Sequence, residues 1–303
     1  MGFNPEITLV SGFLGAGKTT LIRRLLSGVI PAEETVVLEN EFGAVDVDGE
    51  LLRSRGALVV SVRAGCICCT GAGDFLSAIS EIREKFSPKR ILIEPTGLAK
   101  LSELIARFKT SPLGEVCDLK SVVTVVNAAG FGKRMSISRD FFEDQIGNSG
   151  LILLSRAEKL PPGDVTEIER HILSIRPSCR VVSDEWEKLP AKRLSALLDF
   201  ARPAEPQTEK YRADIHDIHS SSWSDAIPRA EAFVSRFAAA LEDGEFGGAL
   251  RVKGWILFQD GMVRAVDYTP GEFIIGETVS KRATEFCFIG KNLNGRKLRE
   301  FFE

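Results

Sequence analysis

The stretch "ITLVSGFLGAGKTT", residues 7–20, decides the fold. It begins with an apolar run rich in β-branched side chains, which predicts a short strand over residues 7–10. The pattern G-x-x-x-x-G-K-T follows, filled by Gly12, Gly17, Lys18 and Thr19. Next, "LIRRLLSG" has leucine and isoleucine at helical spacing and ends in a glycine, which predicts a helix. The motif therefore lies between a strand and a helix, the context that a phosphate-binding loop requires.

The chemistry of this loop follows from its backbone. Glycine lets N–H groups converge on phosphate oxygens, and the positive end of the helix dipole adds to the attraction. Lys18 can reach the β and γ phosphates of a nucleotide, and the Thr19 hydroxyl can hold Mg²⁺. A glycine-rich turn with a chance Lys-Thr pair is the alternative, and the strand–helix context argues against it.

A carboxylate for the same site is predicted at the end of another strand. "KRILIEPTG", residues 89–97, is an apolar strand pattern that ends in Glu94 and is followed by Gly97. Glu94 can enter the Mg²⁺ coordination sphere or orient the attacking water, and the Gly97 N–H can contact the γ-phosphate. An ordinary Pro-Thr-Gly turn is the competing interpretation, which the upstream phosphate loop disfavours.

Strand-like runs recur up to residue 182, with helical patterns between several of them. The runs are 7–10, 35–38, 57–62, 90–93, 121–126, 151–154 and 180–182, and the helical patterns are 18–27, 74–86, 99–109 and 164–175. This alternation predicts an α/β fold, a mostly parallel sheet flanked by helices.

A linker rich in proline and charge is predicted over 198–214. A helix near 226–242, three strand patterns and a terminal helix then predict a smaller α+β domain.

The composition excludes several classes of protein. The chain has 303 residues, of which 44% are hydrophobic and 27% charged, so it can bury a sizeable core. A net charge of −3 gives no general basic surface for nucleic acid. The apolar runs are too short to span a membrane, and the N-terminus lacks the pattern of a signal peptide. We therefore expect a cytoplasmic protein with reduced thiols.

Half of the six cysteines fall within "RAGCICCTGAG", residues 63–73, as Cys66, Cys68 and Cys69. A thiolate trio on a loop favours Zn²⁺, with Co²⁺ or Cu⁺ as alternatives, and three ligands leave a tetrahedral site open for transfer of the ion. Buried thiols that serve only as small apolar side chains are one alternative. A redox pair is another, although Cys66 and Cys69 form the only C-x-x-C spacing here.

A further acidic element lies between the phosphate loop and the cysteines, in "VVLENEFGAVDVDGELL", residues 36–52. Glu39 and Glu41 follow a predicted strand, at the place where nucleotide switches sense the γ-phosphate and Mg²⁺. These carboxylates can complete the cysteine site, or they can belong to a solvated loop.

In combination these motifs are recognisable. "GFLGAGKTT", "ENEFG", "GCICC", "EPTG" and the C-terminal "LRVKGWI…FIGKNLNGRKLREFF" together resemble the CobW-type family of P-loop GTPases, over nearly the whole chain. The resemblance implies a nucleotide-binding domain over 1–205 and a CobW C-terminal domain over 206–303. It also implies GTP hydrolysis coupled to delivery of a metal, often Zn²⁺ or Co²⁺, to a client metalloprotein; self-association is left open.

The resemblance also implies roles for individual residues. Cys66, Cys68 and Cys69 match metal ligands, with Glu39 as a partner, and Glu94 matches the metal-side carboxylate. The residues that match the nucleotide and Mg²⁺ contacts are Gly12, Gly15, Ala16, Gly17, Lys18, Thr19 and Thr20. Guanine recognition in such GTPases rests on an N/T-K-x-D element, and "SRAE" stands there, placing Ser155, Arg156 and Glu158 at the base.

Several positions depart from the family pattern. The "SRAE" element leaves the preference for GTP over ATP open, because Arg can stack on a base while Glu carries one methylene more than Asp. Asn127 stands where an Asp is usual, and Ala44 where a second acid is often found. Only His216 and His219 lie where relatives carry a His-rich run; they can bind a metal or belong to a solvated linker.

Three functions remain open from the sequence. The first is a GTP-dependent metallochaperone, in which nucleotide state changes metal affinity. The second is a metal buffer or adaptor that binds nucleotide with little hydrolysis. The third is a small-molecule kinase built on the same loop, for which the sequence reveals no acceptor pocket.

Overall fold

The computed structural model describes residues 4–39, 58–61, 72–110, 112–203, 205 and 218–303. The chain divides into two compact units. The first comprises Met1–Ala129 and Asp140–Ala213, and the second comprises Gly130–Arg139 and Asp214–Glu303. The domain boundary between residues 205 and 206 stays a prediction.

A parallel sheet forms the centre of the first unit. Its strands are β1 (Glu6–Gly12), β2 (Thr35–Glu39), β3 (Leu58–Ser61), β4 (Arg90–Glu94), β5 (Asp118–Asn127), β6 (Leu151–Ser155) and β7 (Arg180–Val182). They lie in the order β3-β2-β4-β1-β5-β6-β7, and every neighbouring pair is parallel. The predicted fold class is confirmed, and each strand begins within three residues of its predicted run.

Helices cover both faces of this sheet. They are α1 (Lys18–Leu26), α2 (Ala72–Phe86), α3 (Leu101–Thr110), the short α4 (Leu113–Val116), α5 (Phe131–Gly147), α6 (Pro162–Ile175) and α7 (Ala191–Leu198). Leucines and isoleucines of α1 and α7 share one apolar core with Val10, Val123 and Val125. Apolar residues of α2 and α3 form the opposite core with Ile7 and Ile91. Because both faces are covered, the strands have to be apolar on both sides, as their sequences are.

Sequence periodicity does not predict α5. The helix has non-helical dihedral angles at Ser138, and its residues up to Arg139 belong to the second unit. Toward its C-terminal end, the polar residues Asp144 and Gln145 are buried. A helix that buries polar groups lacks the apolar stripe that marks an amphipathic helix, so the pattern gives no signal.

The second unit contains an antiparallel sheet in the order β11-β10-β9-β12-β8. Its elements are β8 (Ile218–Asp225), α8 (Glu231–Glu242), β9 (Gly248–Leu257), β10 (Val263–Thr269), β11 (Glu272–Thr278), β12 (Thr284–Lys291) and α9 (Gly295–Phe302). Phe237 of α8 and Phe302 of α9 lie in an aromatic core with Phe286 and Phe288. The predicted smaller α+β domain is confirmed, and β8, with its serine-rich sequence, and β11 are additional edge strands.

Within the described ranges, every helix is too short or too polar to traverse a bilayer.

Candidate nucleotide-binding site

The loop between β1 and α1 connects the carboxyl end of a central strand to a helix N-terminus. Gly12, the last residue of β1, has φ +144°, and a Cβ there would lie 2.3 Å from the carbonyl oxygen of Val125 on the neighbouring strand. Gly15 and Gly17 also have positive φ, at +67° and +106°. The loop therefore follows a backbone path that glycine adopts readily and larger residues do not.

Lys18, the first residue of α1, lies over the loop. Its side chain is 6% exposed, and its Nζ donates to the carbonyl oxygens of Gly12 at 3.0 Å and of Phe13 at 3.3 Å. Nζ also lies 3.9 Å from a carboxylate oxygen of Glu94. A buried ammonium group held by loop carbonyls is positioned to exchange those contacts for phosphate oxygens.

Thr19 and Glu94 meet at the edge of the sheet. The Thr19 hydroxyl donates to the two carboxylate oxygens of Glu94, at 3.1 and 3.2 Å. Glu94 ends β4, which pairs with β1 in parallel, so the end of β4 meets the start of α1 at one edge. A hydroxyl beside a carboxylate is the donor set that Mg²⁺ prefers when it also binds nucleotide phosphates. These residues fit a magnesium ion.

Gly97 lies against the phosphate loop, three residues beyond β4. A Cβ on Gly97 would lie 2.5 Å from the backbone nitrogen of Leu14 and 2.9 Å from its Cα. The Gln145 Nε2 of α5 donates to the Gly97 carbonyl oxygen at 3.0 Å. Gln145 carries no signal in the sequence, because no motif or periodicity marks a buried amide on a helix.

The predicted base-side residues contact the same loop from β6. Ser155 ends β6, and its Oγ donates to the carbonyl oxygen of Ala16 at 2.7 Å. The Arg156 Nη1 donates to the carbonyl oxygen of Gly15 at 3.1 Å, from a residue with φ +59°. Glu158 is exposed in the 3-10 turn Ala157–Lys159. The structure thus brings the "SRAE" element to the phosphate loop.

Asn127 ends β5 directly beside Ser155 in the register of the sheet. The side chain is 1% exposed, and neither amide atom has a hydrogen-bond partner among the described residues. Asn127 is thus part of the same sheet edge, although its amide donates to no loop carbonyl there.

The structure describes only some of the residues predicted to bind the metal. Glu39 ends β2, is buried, and pairs with Glu94 in the register of the sheet. Glu41, Cys66, Cys68, Cys69 and His216 lie outside the described residues, whereas His219 is exposed in β8. Among the residues that the structure does describe, no three His, Cys, Asp or Glu side chains form a metal-binding cluster.

The structure does describe β2 and β3, the strands that precede Glu41 and the three cysteines. β2 and β3 are parallel neighbours, and Glu39 lies opposite Ser61 at their carboxyl ends. The chain leaves both strands from the edge that also carries Glu94 and the phosphate loop. The segments with Glu41 and the three cysteines therefore start at the edge that carries the phosphate loop.

Comparison with known families agrees with this geometry. The family model described as CobW/HypB/UreG, nucleotide-binding domain, matches residues 6–183. The chain belongs to the CobW/HypB/UreG family. A second model, the cobalamin synthesis protein cobW C-terminal domain, matches residues 220–303 of this CobW/HypB/UreG chain. The resemblance drawn from the motifs is confirmed.

Individual relatives of the CobW/HypB/UreG chain are moderately similar. It is 33% identical over 163 residues to the zinc chaperone YeiR of Escherichia coli, covering 54% of this chain and 49% of YeiR. It is 26% identical over 298 residues to zinc-regulated GTPase metalloprotein activator 1 of Dictyostelium discoideum, covering 82% of this chain and 62% of that protein. The chain thus spans about half to three fifths of the length of these relatives.

A solved structure is also similar. The crystal structure of the Zn(II)-bound YjiA GTPase from E. coli has a TM-score of 0.49 and 22% identity, covering 99% of this chain and 98% of that one.

Proposed function

We propose that this protein is a GTP-hydrolysing metallochaperone that carries a transition metal, Zn²⁺ or Co²⁺, to a client protein. One observation carries the proposal: Lys18, Thr19 and Glu94 lie together at the sheet edge from which the chain leaves toward the three cysteines. The names of the zinc chaperone and metalloprotein activator relatives support the same class of function.

The phosphate loop would bind the triphosphate. Gly12, Gly15, Ala16 and Gly17 shape the backbone around the phosphates, Thr20 follows in the first turn of α1, and Lys18 moves its ammonium from loop carbonyls to phosphate oxygens. Thr19 and Glu94 would hold Mg²⁺, which neutralises charge that develops on the phosphates. Glu94 alternatively orients the attacking water, and the Gly97 N–H contacts the γ-phosphate.

The base would lie beside Ser155, Arg156 and Glu158. Ser155 and Arg156 already bind loop carbonyls, which leaves the exposed Glu158 carboxylate to accept hydrogen bonds from the guanine ring N–H and amino group. Adenine does not present a ring N–H beside an amino group, so an acceptor carboxylate favours GTP over ATP.

The cargo site would consist of Cys66, Cys68 and Cys69, with Glu39 and Glu41 as the adjoining carboxylates. Thiolates and carboxylates suit Zn²⁺ and Co²⁺, and an incomplete ligand set favours release. Because Glu39 lies opposite Glu94 in the sheet, a change at the terminal phosphate can reach the segment that begins after Glu39. Nucleotide state would thereby set metal affinity.

Calorimetric titration tests the coupling. Zn²⁺ and Co²⁺ are titrated into the metal-free protein, with and without a non-hydrolysable GTP analogue, and we expect the analogue to change Zn²⁺ affinity by about tenfold, or about 1.4 kcal/mol. The combined variant Cys66→Ser, Cys68→Ser, Cys69→Ser should lose tight binding, whereas Cys179→Ser, a buried thiol elsewhere, should retain it. Unchanged affinity in the triple variant would contradict the assigned ligands.

Turnover distinguishes the alternative of a metal buffer or adaptor. We expect GTP hydrolysis that is lost in Lys18→Ala. A protein that binds Zn²⁺ but hydrolyses neither GTP nor ATP would favour the buffer or adaptor, which keeps the fold and the cysteine site.

A further inference from the structure

The C-terminal end of α5 buries an unusual set of polar side chains. Asp144 and Gln145 are 0% and 2% exposed, and Asn148 and Ser149 just beyond them are 0% exposed. Buried polar groups cost free energy unless they are hydrogen-bonded, so their partners reveal what the site is built for. The side chains of Asp144 and Gln145 both bind the main chain of one segment, residues 97–102.

Gln145 binds the first part of that segment. Its Nε2 donates to the Gly97 carbonyl oxygen at 3.0 Å and to the Ala99 carbonyl oxygen at 3.4 Å. The main-chain carbonyl of Gln145 in turn accepts from the Thr124 hydroxyl of β5 at 3.2 Å. The amide is thereby fixed between the central sheet and the main chain that follows β4.

Asp144 binds the second part. One carboxylate oxygen accepts from the backbone nitrogen of Leu101 at 2.5 Å and from that of Ser102 at 3.2 Å, so it caps the first turn of α3. Asn148 orients Asp144, because its Nδ2 donates to the Asp144 carbonyl oxygen at 2.8 Å and to Oδ1 at 3.3 Å. Consecutive residues of α5 therefore hold both ends of residues 97–102.

The same segment also lies against the phosphate loop, at Gly97. Gly97 approaches Leu14 so closely that a Cβ would lie 2.5 Å from the Leu14 backbone nitrogen. Gly97 thus lies close to the loop and is hydrogen-bonded to the Gln145 amide. We infer that Gln145 is a positioning residue, which holds the Gly97 main chain at the phosphate loop so that its N–H meets the terminal phosphate of GTP. The inference rests on the proposed GTP hydrolysis.

To position Gly97, residue 145 needs an amide donor on a side chain as long as that of glutamine. Methionine has nearly the same length and no donor, so Gln145→Met removes both bonds to the segment while it fills the space. Thr35→Val is the control for loss of a buried hydrogen bond. Thr35 is also buried, but it begins β2 at the sheet edge opposite the phosphate loop, where its hydroxyl donates to the Pro31 carbonyl oxygen. Gln145→Asn is a second variant that keeps the donors and draws them back by one methylene.

The test uses the full chain and measures GTP turnover together with amide hydrogen exchange in the nucleotide-free protein. We expect Gln145→Met to lower kcat about tenfold or more with KM within about twofold, as for a displaced reacting group. Exchange over residues 97–102 should accelerate, while exchange over β1 stays as in the wild type. Gln145→Asn should show an intermediate kcat, and Thr35→Val should keep the wild-type kcat and the wild-type exchange over residues 97–102.

The outcomes separate this inference from the proposed function. Unchanged kcat and unchanged exchange in Gln145→Met, with GTP turnover in the wild type, would overturn the positioning role and leave the proposed function intact. Equal losses in Gln145→Met and Thr35→Val would also overturn it, because both would then reflect general destabilisation. A wild type without turnover would contradict the proposed function, and exchange over 97–102 in the variants would still decide whether Gln145 holds the segment.

Discussion

The Thr19 hydroxyl lies 3.1 and 3.2 Å from the two carboxylate oxygens of Glu94, although 75 residues separate the two in sequence. The contact joins the first turn of α1 to the end of β4, at the edge where a nucleotide's terminal phosphates and Mg²⁺ are expected. The side chain of Glu94 is 15% exposed, so a ligand can reach the pair while bulk water has limited access. Both residues are therefore available for metal coordination.

We predict that Glu94→Gln lowers GTP turnover by about 100-fold, since it removes a charged group that acts in the transition state while preserving its shape. Steady-state kinetics at several Mg²⁺ concentrations measure the effect. If Glu94 holds the metal, the variant should need a higher Mg²⁺ concentration for half-maximal turnover. An unchanged Mg²⁺ dependence would indicate that Glu94 orients the attacking water instead. Glu84→Gln, an exposed carboxylate on α2, should be neutral. Full activity of Glu94→Gln would refute the site.

Gly97→Ala should damage the site through backbone contact. The new Cβ would meet the backbone of Leu14 at 2.5 Å, which no side-chain rotation relieves. We expect a loss of stability of about 1–3 kcal/mol, as for other overpacked sites, and a drop in GTP turnover of about tenfold or more. Urea unfolding and turnover assays test this.

The control for that substitution is Gly163→Ala in α6, where the added Cβ meets no atom within 4 Å. It should raise the free energy of unfolding by about 0.5 kcal/mol, because alanine loses less backbone entropy in a helix. Equal stability of the two variants would show that residue 97 tolerates a side chain.

Asp144 should make stability depend on pH. Burial raises the pKa of its carboxyl above the ordinary value of 3.8, a shift that the backbone N–H groups of Leu101 and Ser102 oppose and the nearby Glu103 charge reinforces. A raised pKa means that the folded state binds the proton more tightly. The contribution to stability is therefore present below the ordinary pKa and is lost as pH rises through the folded pKa.

Urea unfolding of the wild type and of Asp144→Asn, at several pH values from about 4 to 7, measures this dependence. We expect the stability of the wild type relative to Asp144→Asn to fall as pH rises. Asp199→Asn, an exposed residue, supplies the control for loss of one negative charge. A relative stability that rises with pH would mean that the folded state favours the charged carboxylate.

Glu158→Ala should change nucleotide preference. Loss of the acceptor carboxylate is expected to weaken GTP binding by about tenfold, or about 1.4 kcal/mol, and to leave ATP binding unchanged. Competition binding with both nucleotides measures the ratio. Glu167→Ala removes an exposed carboxylate from α6 and should affect neither. Parallel weakening of GTP and ATP would show that Glu158 does not read the base.

The predictions that the structure confirms depend on patterns among residues that are close together in sequence. Strand β1, the loop and helix α1 are specified by the contiguous residues 6–26, since the strand–loop–helix geometry needs only local patterns and glycine at defined positions. Apolar runs predicted the parallel sheet for the same reason, because strands covered on both faces have to be apolar throughout.

The sequence by itself therefore determined the phosphate loop, the position of Glu94 at the end of a strand, and the family. Only the tertiary structure decided that Gln145 and Asp144 hold residues 97–102, and that Ser155 and Arg156 bind the loop carbonyls. The physical reason is that a buried hydrogen bond joins groups distant in sequence. Neither periodicity nor composition records which donor meets which acceptor once the chain has folded.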